Sequence, residues 1–203
     1  MLAAGASRRF ADGDKLMADA DGVPLVARVA RTLVACAAID RVVIVVRPGA
    51  ADIARCIAEI GGTTSCVVNE NADFGMSTSI AAGLAALGVP EYDGVLVTPG
   101  DMPGLSTATV ERLVAVFAAH GGQAVVHAAL PDGRQRNPVV WPRRLLARLG
   151  AVTGDTGGKA LIREEGNAAV AVPIADEREL ADIDTVADLA AYHARHRLRR
   201  EGG

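Results

Sequence analysis

At 203 residues the chain is long enough for one sizeable core, and half its residues are hydrophobic but only 3% aromatic, so Ala, Val, Leu and Ile must do the packing. A formal charge of -3 and a pI near 5.8 exclude a global attraction for nucleic acid or anionic membranes, so any phosphate recognition must be local. Apolar runs are too short to span a bilayer and no signal peptide is visible, because Arg8, Arg9, Asp12, Asp14 and Lys15 interrupt the start; the expected location is the cytoplasm.

In chain order, Leu2-Ala3-Ala4-Gly5-Ala6-Ser7-Arg8-Arg9 and Lys15 come first. Ala3, Ala4 and Gly5 let a backbone approach a phosphate chain closely, Ser7 offers a hydroxyl, and Arg9 and Lys15 neutralise phosphate oxygens. The segment is neither a Walker loop nor GxGxxG. Read alone, it is equally a polar strand-to-helix loop with incidental arginines. Met1-Leu2-Ala3 is short for a first strand: either the strand is truncated, or residues upstream of Met1 belong to the natural protein.

Val42–Val46 reads as a buried strand closed by Pro48-Gly49, Ala50–Ile60 as a helix with Ile53, Ile57 and Ile60 on one side, and Thr64–Val68 as a second strand. A helix over Ser77–Leu87 ends at Gly88, a strand covers Gly94–Thr98, and a helix spans Thr107–Ala119. This alternation predicts a parallel sheet covered on both faces by helices. Further on, Ala124–Ala128 and Asn137–Trp141 read as strands, Thr156–Glu165 as helical and Ala168–Val172 as extended. Thr185–His196 reads as a helix capped by Asp184 or Thr185. The basic tail Arg195–Gly203 lacks aromatic residues and reads as a solvated helix end.

Three more segments carry chemistry. Thr98-Pro99-Gly100-Asp101-Met102-Pro103 follows an apolar strand, which puts Asp101 at the carboxyl end of the sheet, where open α/β sheets bind ligands. A carboxylate there suits Mg²⁺, and equally a turn Asp bonding its own backbone. Asn71 to Ser79 ends at a helix start that favours an anion or a polar base edge, although Ser77 or Ser79 also reads as a helix cap. In Asp182-Ile183-Asp184-Thr185, Asp184 supplies a second metal oxygen or caps the final helix; both readings stand. Cys36, Cys56 and Cys66 are odd in number and lack CxxC spacing, and His120, His127, His193 and His196 show no metal or triad spacing.

Six pieces, in order and spanning nearly the whole chain, resemble the MobA-like nucleotidyltransferase family, most closely its molybdenum cofactor cytidylyltransferase branch. They are LAAGASRRF with Lys15, NADFGMSTSIAAGL, VLVTPGDMP, GRQRNPVVW, TGDTGGKALI and DIDTVADL. The resemblance implies a Rossmann-like three-layer α/β/α fold, its sheet mostly parallel with an antiparallel excursion. It implies a single domain over 1–196, with nucleotide over about 1–104, acceptor over about 105–196, and a flexible tail at 197–203. Arg9, Lys15 and Asp101 would be catalytic. Leu2, Ala3, Ala4, Gly5, Ser7, Asn71, Ser77, Pro99 and Gly100 would also face the nucleotide. Asp101 and Asp184 would hold Mg²⁺, and Asn137, Gly154 and Asp155 would shape the acceptor pocket.

The implied reaction moves CMP from CTP to a molybdopterin-type cofactor with release of pyrophosphate. In the resembled family an LAAG start accompanies cytidine transfer and LAGG guanosine transfer, and the methyl of Ala4 would crowd a larger purine. The alternatives are GTP as donor, another small phosphate as acceptor, and a non-catalytic nucleotide-binding accessory protein serving a molybdenum hydroxylase client. A dinucleotide-dependent oxidoreductase lacks its glycine fingerprint here. Ala11 stands where the family usually has Gly.

Overall fold

The computed structural model describes residues 1–5, 10, 13–88, 92–154 and 158–201, with 195–201 described as backbone only. Val42–Val46 (β2) is buried at every position, as expected of a parallel strand covered on both faces. Its side chains alternate between two cores. Val42, Ile44 and Val46 pack with Val26, Val29, Ala30 and Leu33 of Leu25–Val34 (α1), with Ile53 and Ile57 of Ala51–Ile60 (α2), and with Thr107–Ala119 (α4). Val43 and Val45 face the opposite side, toward Ala82, Ala86 and Leu87 of Met76–Leu87 (α3). Gly88 ends α3 in the left-handed conformation, with φ +62.

Leu2–Ala3 (β1), β2 and Thr64–Val68 (β3) form a parallel three-stranded sheet in the order β1-β2-β3. A second sheet runs β4-β6-β5-β7, from Gly94–Val97 (β4), Gln135–Pro142 (β6), Val126–Ala129 (β5) and Val170–Pro173 (β7). Strand β6 is antiparallel to both neighbours, whereas β5 and β7 are parallel. One parallel bridge, Leu2 to Pro99, joins the sheets: Leu2 N donates to the Thr98 carbonyl at 2.8 Å, and Gly100 N to the Leu2 carbonyl at 2.8 Å. The expected α/β architecture is therefore present as a parallel sheet and a mixed sheet, β6 being the antiparallel excursion. Trp141 and Val139 of β6 pack with Leu146–Gly150 (α5) and Lys159–Glu165 (α6).

The strands and helices of the first half match their predicted ranges within one residue. Helix α1 is an addition, although Pro24 before it and Val26, Val29, Ala30 and Leu33 at helical spacing carry its signal. The final helix is Val186–Glu201 (α7). Thr185 caps it: its N–H and hydroxyl donate to Asp188 Oδ2 at 2.8 Å each, and Asp188 N donates back to Thr185 Oγ1 at 3.2 Å. That leaves the Asp184 carboxylate for another partner. Among the described residues, no helix is long and apolar enough to cross a membrane.

Candidate active site

The chain leaves β1 at Ala3 and passes along a cavity of about 680 Å³. Leu2, Ala3, Ala4 and Gly5 line one side; Lys15, Arg47, Pro99, Asp101 and Asp184 contribute others. Lys15 opens the 3-10 turn Lys15–Met17, which Asp14 caps by accepting from Leu16 N at 3.1 Å. Lys15 Nζ donates to Asp101 Oδ2 at 2.6 Å and to Asp184 Oδ1 at 3.0 Å. The Lys15 and Asp101 side chains are only 12% and 17% exposed. Burial by itself would lower the Lys15 pKa, but the charge and hydrogen bonds of Asp101, then those of Asp184, outweigh it. The ammonium ends above its ordinary range.

One lysine does not balance this cluster. The Asp182 carboxyl is pushed up to about 6, by burial and then by repulsion from Asp101 and Asp184, with Lys15 and Arg136 opposing. Since the residue as a whole keeps its access to solvent, the repulsion is the part that describes the site. Asp101 Oδ1 is buried and has no hydrogen-bond partner among the described residues. A buried carboxylate oxygen left in that state fits a cation's inner shell. Asp101 and Asp184 are therefore the residues that fit a divalent cation. Among the described residues no group of three or more His, Cys, Asp or Glu side chains gathers around a metal position. The remaining oxygens would have to come from ligand and water, which is the habit of Mg²⁺.

Two contributors escaped the sequence reading. Asn69, buried just after β3, donates to Thr78 Oγ1 at 2.9 Å and Ser79 Oγ at 3.0 Å and accepts from Asn71 N at 3.0 Å. It orders the segment leading into α3. Arg47, just after β2, donates to the Gly5 carbonyl at 3.1 Å and to Asp14 Oδ2 at 2.9 Å. Both had the same available signal: the first polar side chain beyond the carboxyl end of a parallel strand.

Other predicted residues take different places. Gly100 spends its N–H on Leu2, and a Cβ there would lie 3.3 Å from the Leu2 carbonyl oxygen, so glycine lets the two sheets meet. Ser77 is buried, its N–H donating to the Gly154 carbonyl at 3.3 Å, and Asn71 accepts from Thr78 Oγ1 at 2.8 Å. Asn137 lies on β6, preceding a cis bond to Pro138. None of these five, Gly100, Ser77, Gly154, Asn71 and Asn137, lines the cavity. Ser7, Arg9 and Asp155 lie outside the described residues.

A second cavity, about 500 Å³, lies between β2 and β4 and is walled largely by apolar residues such as Val43, Val45, Val95 and Val97. It gathers neither Lys15 nor the Asp101–Asp184 pair. At its edge Met1 N donates to the Val43 carbonyl at 2.8 Å.

The arrangement at the larger cavity, small residues beside a lysine and two carboxylates with a spare oxygen, is competent to hold a polyphosphate and its cation. Residues 1–171 match the MobA-like NTP transferase domain family. The chain belongs to that family. This MobA-like chain is 40% identical over 110 residues to the 2-C-methyl-D-erythritol 4-phosphate cytidylyltransferase of Ralstonia nicotianae, a match covering 51% of the chain and 43% of that enzyme. The chain thus spans less than half the length of that relative. It is 29% identical over 190 residues to nicotine blue oxidoreductase of Paenarthrobacter nicotinovorans, covering 92% of the chain and 91% of that protein. The crystal structure of Rv0371c from Mycobacterium tuberculosis H37Rv in complex with manganese aligns with a TM-score of 0.74 at 20% identity, covering 94% of each chain; that likeness shows the fold.

Proposed function

We propose that this MobA-like chain is a Mg²⁺-dependent nucleotidyltransferase that moves CMP from CTP to a molybdopterin-type acceptor. The observation that carries the reading is Lys15 Nζ held between Asp101 and Asp184 beside the Ala3–Gly5 segment. An oxygen of the acceptor's terminal phosphate attacks the α-phosphorus as the bond to the β-phosphate oxygen breaks, and that electron pair leaves with pyrophosphate. No protein nucleophile is needed, because the acceptor phosphate is already anionic. Lys15, and Arg9 by the family resemblance, offset charge on the triphosphate, while the Ala3–Gly5 backbone admits it closely. Asp101 and Asp184 would hold Mg²⁺, which when bound supplies further charge neutralisation at the triphosphate.

Ala4 in the LAAG start and the similarity to a cytidylyltransferase both support CTP as donor. Two other readings, one of the acceptor and one of the reaction class, have specific support. The Ralstonia match supports a sugar-alcohol phosphate. The near full-length match to nicotine blue oxidoreductase supports a reductase acting on an aromatic heterocycle.

One panel separates them. CTP, GTP, ATP and UTP are each offered with Mg²⁺ and either a molybdopterin-type acceptor or 2-C-methyl-D-erythritol 4-phosphate, and pyrophosphate release is measured. Parallel wells hold NADH or NADPH with the heterocycle. Pyrophosphate from CTP and the molybdopterin-type acceptor is the expected result. Preference for GTP overturns the donor, preference for the erythritol phosphate overturns the acceptor, and nicotinamide oxidation without pyrophosphate overturns the reaction class. Binding of nucleotide and of a molybdenum hydroxylase without pyrophosphate release would support the accessory role.

A further inference from the structure

The buried run Val42–Val46 forces Arg47 to be the first side chain free to emerge at the carboxyl end of β2, and there it borders the larger cavity. Its guanidinium reaches two groups that lie on either side of the amino-terminal segment. Nη1 donates to the Gly5 carbonyl at 3.1 Å and Nη2 to Asp14 Oδ2 at 2.9 Å, partners 42 and 33 residues away in sequence. The other Asp14 oxygen accepts from Leu16 N and caps the turn that begins at Lys15. Arg47 thus bonds Asp14, Asp14 bonds the backbone N–H of Leu16 in the turn that begins at Lys15, and the Lys15 ammonium bonds Asp101 and Asp184.

We infer that Arg47 is a positioning residue for triphosphate binding: it holds Gly5 and Asp14 together and so sets where the Lys15 ammonium stands. The inference rests on the nucleotidyltransferase reading and adds a residue to it. The Arg47–Asp14 pair, with side chains 31% and 19% exposed, is too open to water to be a large stabilising element. Its distinguishing property is what it ties together. An unengaged Gly5 carbonyl would present its negative end near phosphate oxygens, and the guanidinium takes up that oxygen. A planar fork offers two donors in fixed directions, whereas a lysine ammonium at this position would lack that fixed geometry and the guanidinium's spread.

The test uses the full chain as wild type, Arg47→Met, Arg47→Lys, Asp14→Asn and the Arg47→Met/Asp14→Asn pair. CTP affinity is measured by titration calorimetry, KM and kcat by pyrophosphate release, and thermal midpoints alongside. Arg47→Met is expected to raise the KM for CTP roughly tenfold, with a smaller change in kcat and little change in midpoint. Arg47→Lys should recover only part of that loss. The double variant should be no worse than the poorer single one, because both break the same Arg47–Asp14 bond. An unchanged KM and CTP affinity in Arg47→Met, or losses that simply add, overturns the role of Arg47 alone. Should Arg47→Met fail to fold, Arg47→Lys and Asp14→Asn decide by the same KM criterion. A wild-type chain that binds none of the four triphosphates overturns the nucleotidyltransferase reading, and the role of Arg47 with it.

Discussion

At the seam between the two sheets, polar side chains answer one another across the chain: Lys15 meets partners 86 and 169 residues away, and Arg47 partners 42 and 33 away. In the β5–β6–β7 region several of them satisfy their own surroundings, although Glu179 reaches back to Ser106 and Thr109 and Arg143 to the Tyr92 carbonyl. Arg134 pairs with Asp132, Arg178 with Asp176, Arg136 donates to the Gln135 carbonyl and His127 bonds the carbonyl of Ala128. A network of long-range bonds is fixed by the fold as a whole, so a ligand meets groups already in place. Local pairs leave side chains to follow their own loop. The seam that holds Lys15, Asp101 and Asp184 is thus a preorganised part of the molecule.

The largest expected effect lies at the seam. Asp101→Ala should cut pyrophosphate release by about 10²–10³-fold while the far-ultraviolet circular dichroism spectrum stays that of the wild type. Turnover near the wild-type rate would break the contrast at its centre. Next comes Asn69→Ala, which removes a buried amide bonded to Thr78, Asn71 and the buried Ser79 and should cost about 1–3 kcal/mol in urea unfolding.

A third test is a pH profile. The Asp182 carboxyl titrates at about 6 in the folded chain, above its ordinary 3.8, so the fold favours its neutral form. That contribution is complete below the ordinary carboxylate range and is lost as pH rises through about 6. Asp182→Asn should therefore gain in thermal midpoint over the wild type between roughly pH 4 and 7, modestly, given the residue's access to water. A constant difference across that window would show that Asp182 does not feel the charges of Asp101 and Asp184. The smallest effect belongs to the local region. Arg134→Ala breaks an ion pair whose side chains are 63% and 52% exposed, and stability should change by less than about 1 kcal/mol. A larger loss would mean that the β5–β6 turn is less self-contained than its bonds suggest.

Much of this was legible in the residues. The all-buried β2 was readable because β-branched residues ran to a Pro-Gly stop, and α3 because its end was marked by Gly88. Strand β6 was read short at its start, where its Gln135 and Arg136 look like loop residues until β5 pairs with them. For the site, residue types and the family resemblance selected Lys15, Asp101 and Asp184. Whether Asp184 capped the helix or joined the site was undecidable from spacing, because Thr185 and Asp188 had first to be seen taking the cap. Arg47 and Asn69 were illegible for a related reason: their importance lies in contacts that exist only once separate strands lie side by side.

Lys15 bridging Asp101 and Asp184 has one further consequence. Before any ligand arrives, the site carries its own internal counter-ion, so part of its negative charge is already cancelled by a group that cannot diffuse away. Such a site has reduced appetite for a stray divalent cation. On the proposed reading, an incoming triphosphate would give the ammonium another partner, and Asp101 and Asp184 would then be freer to hold a cation brought with it.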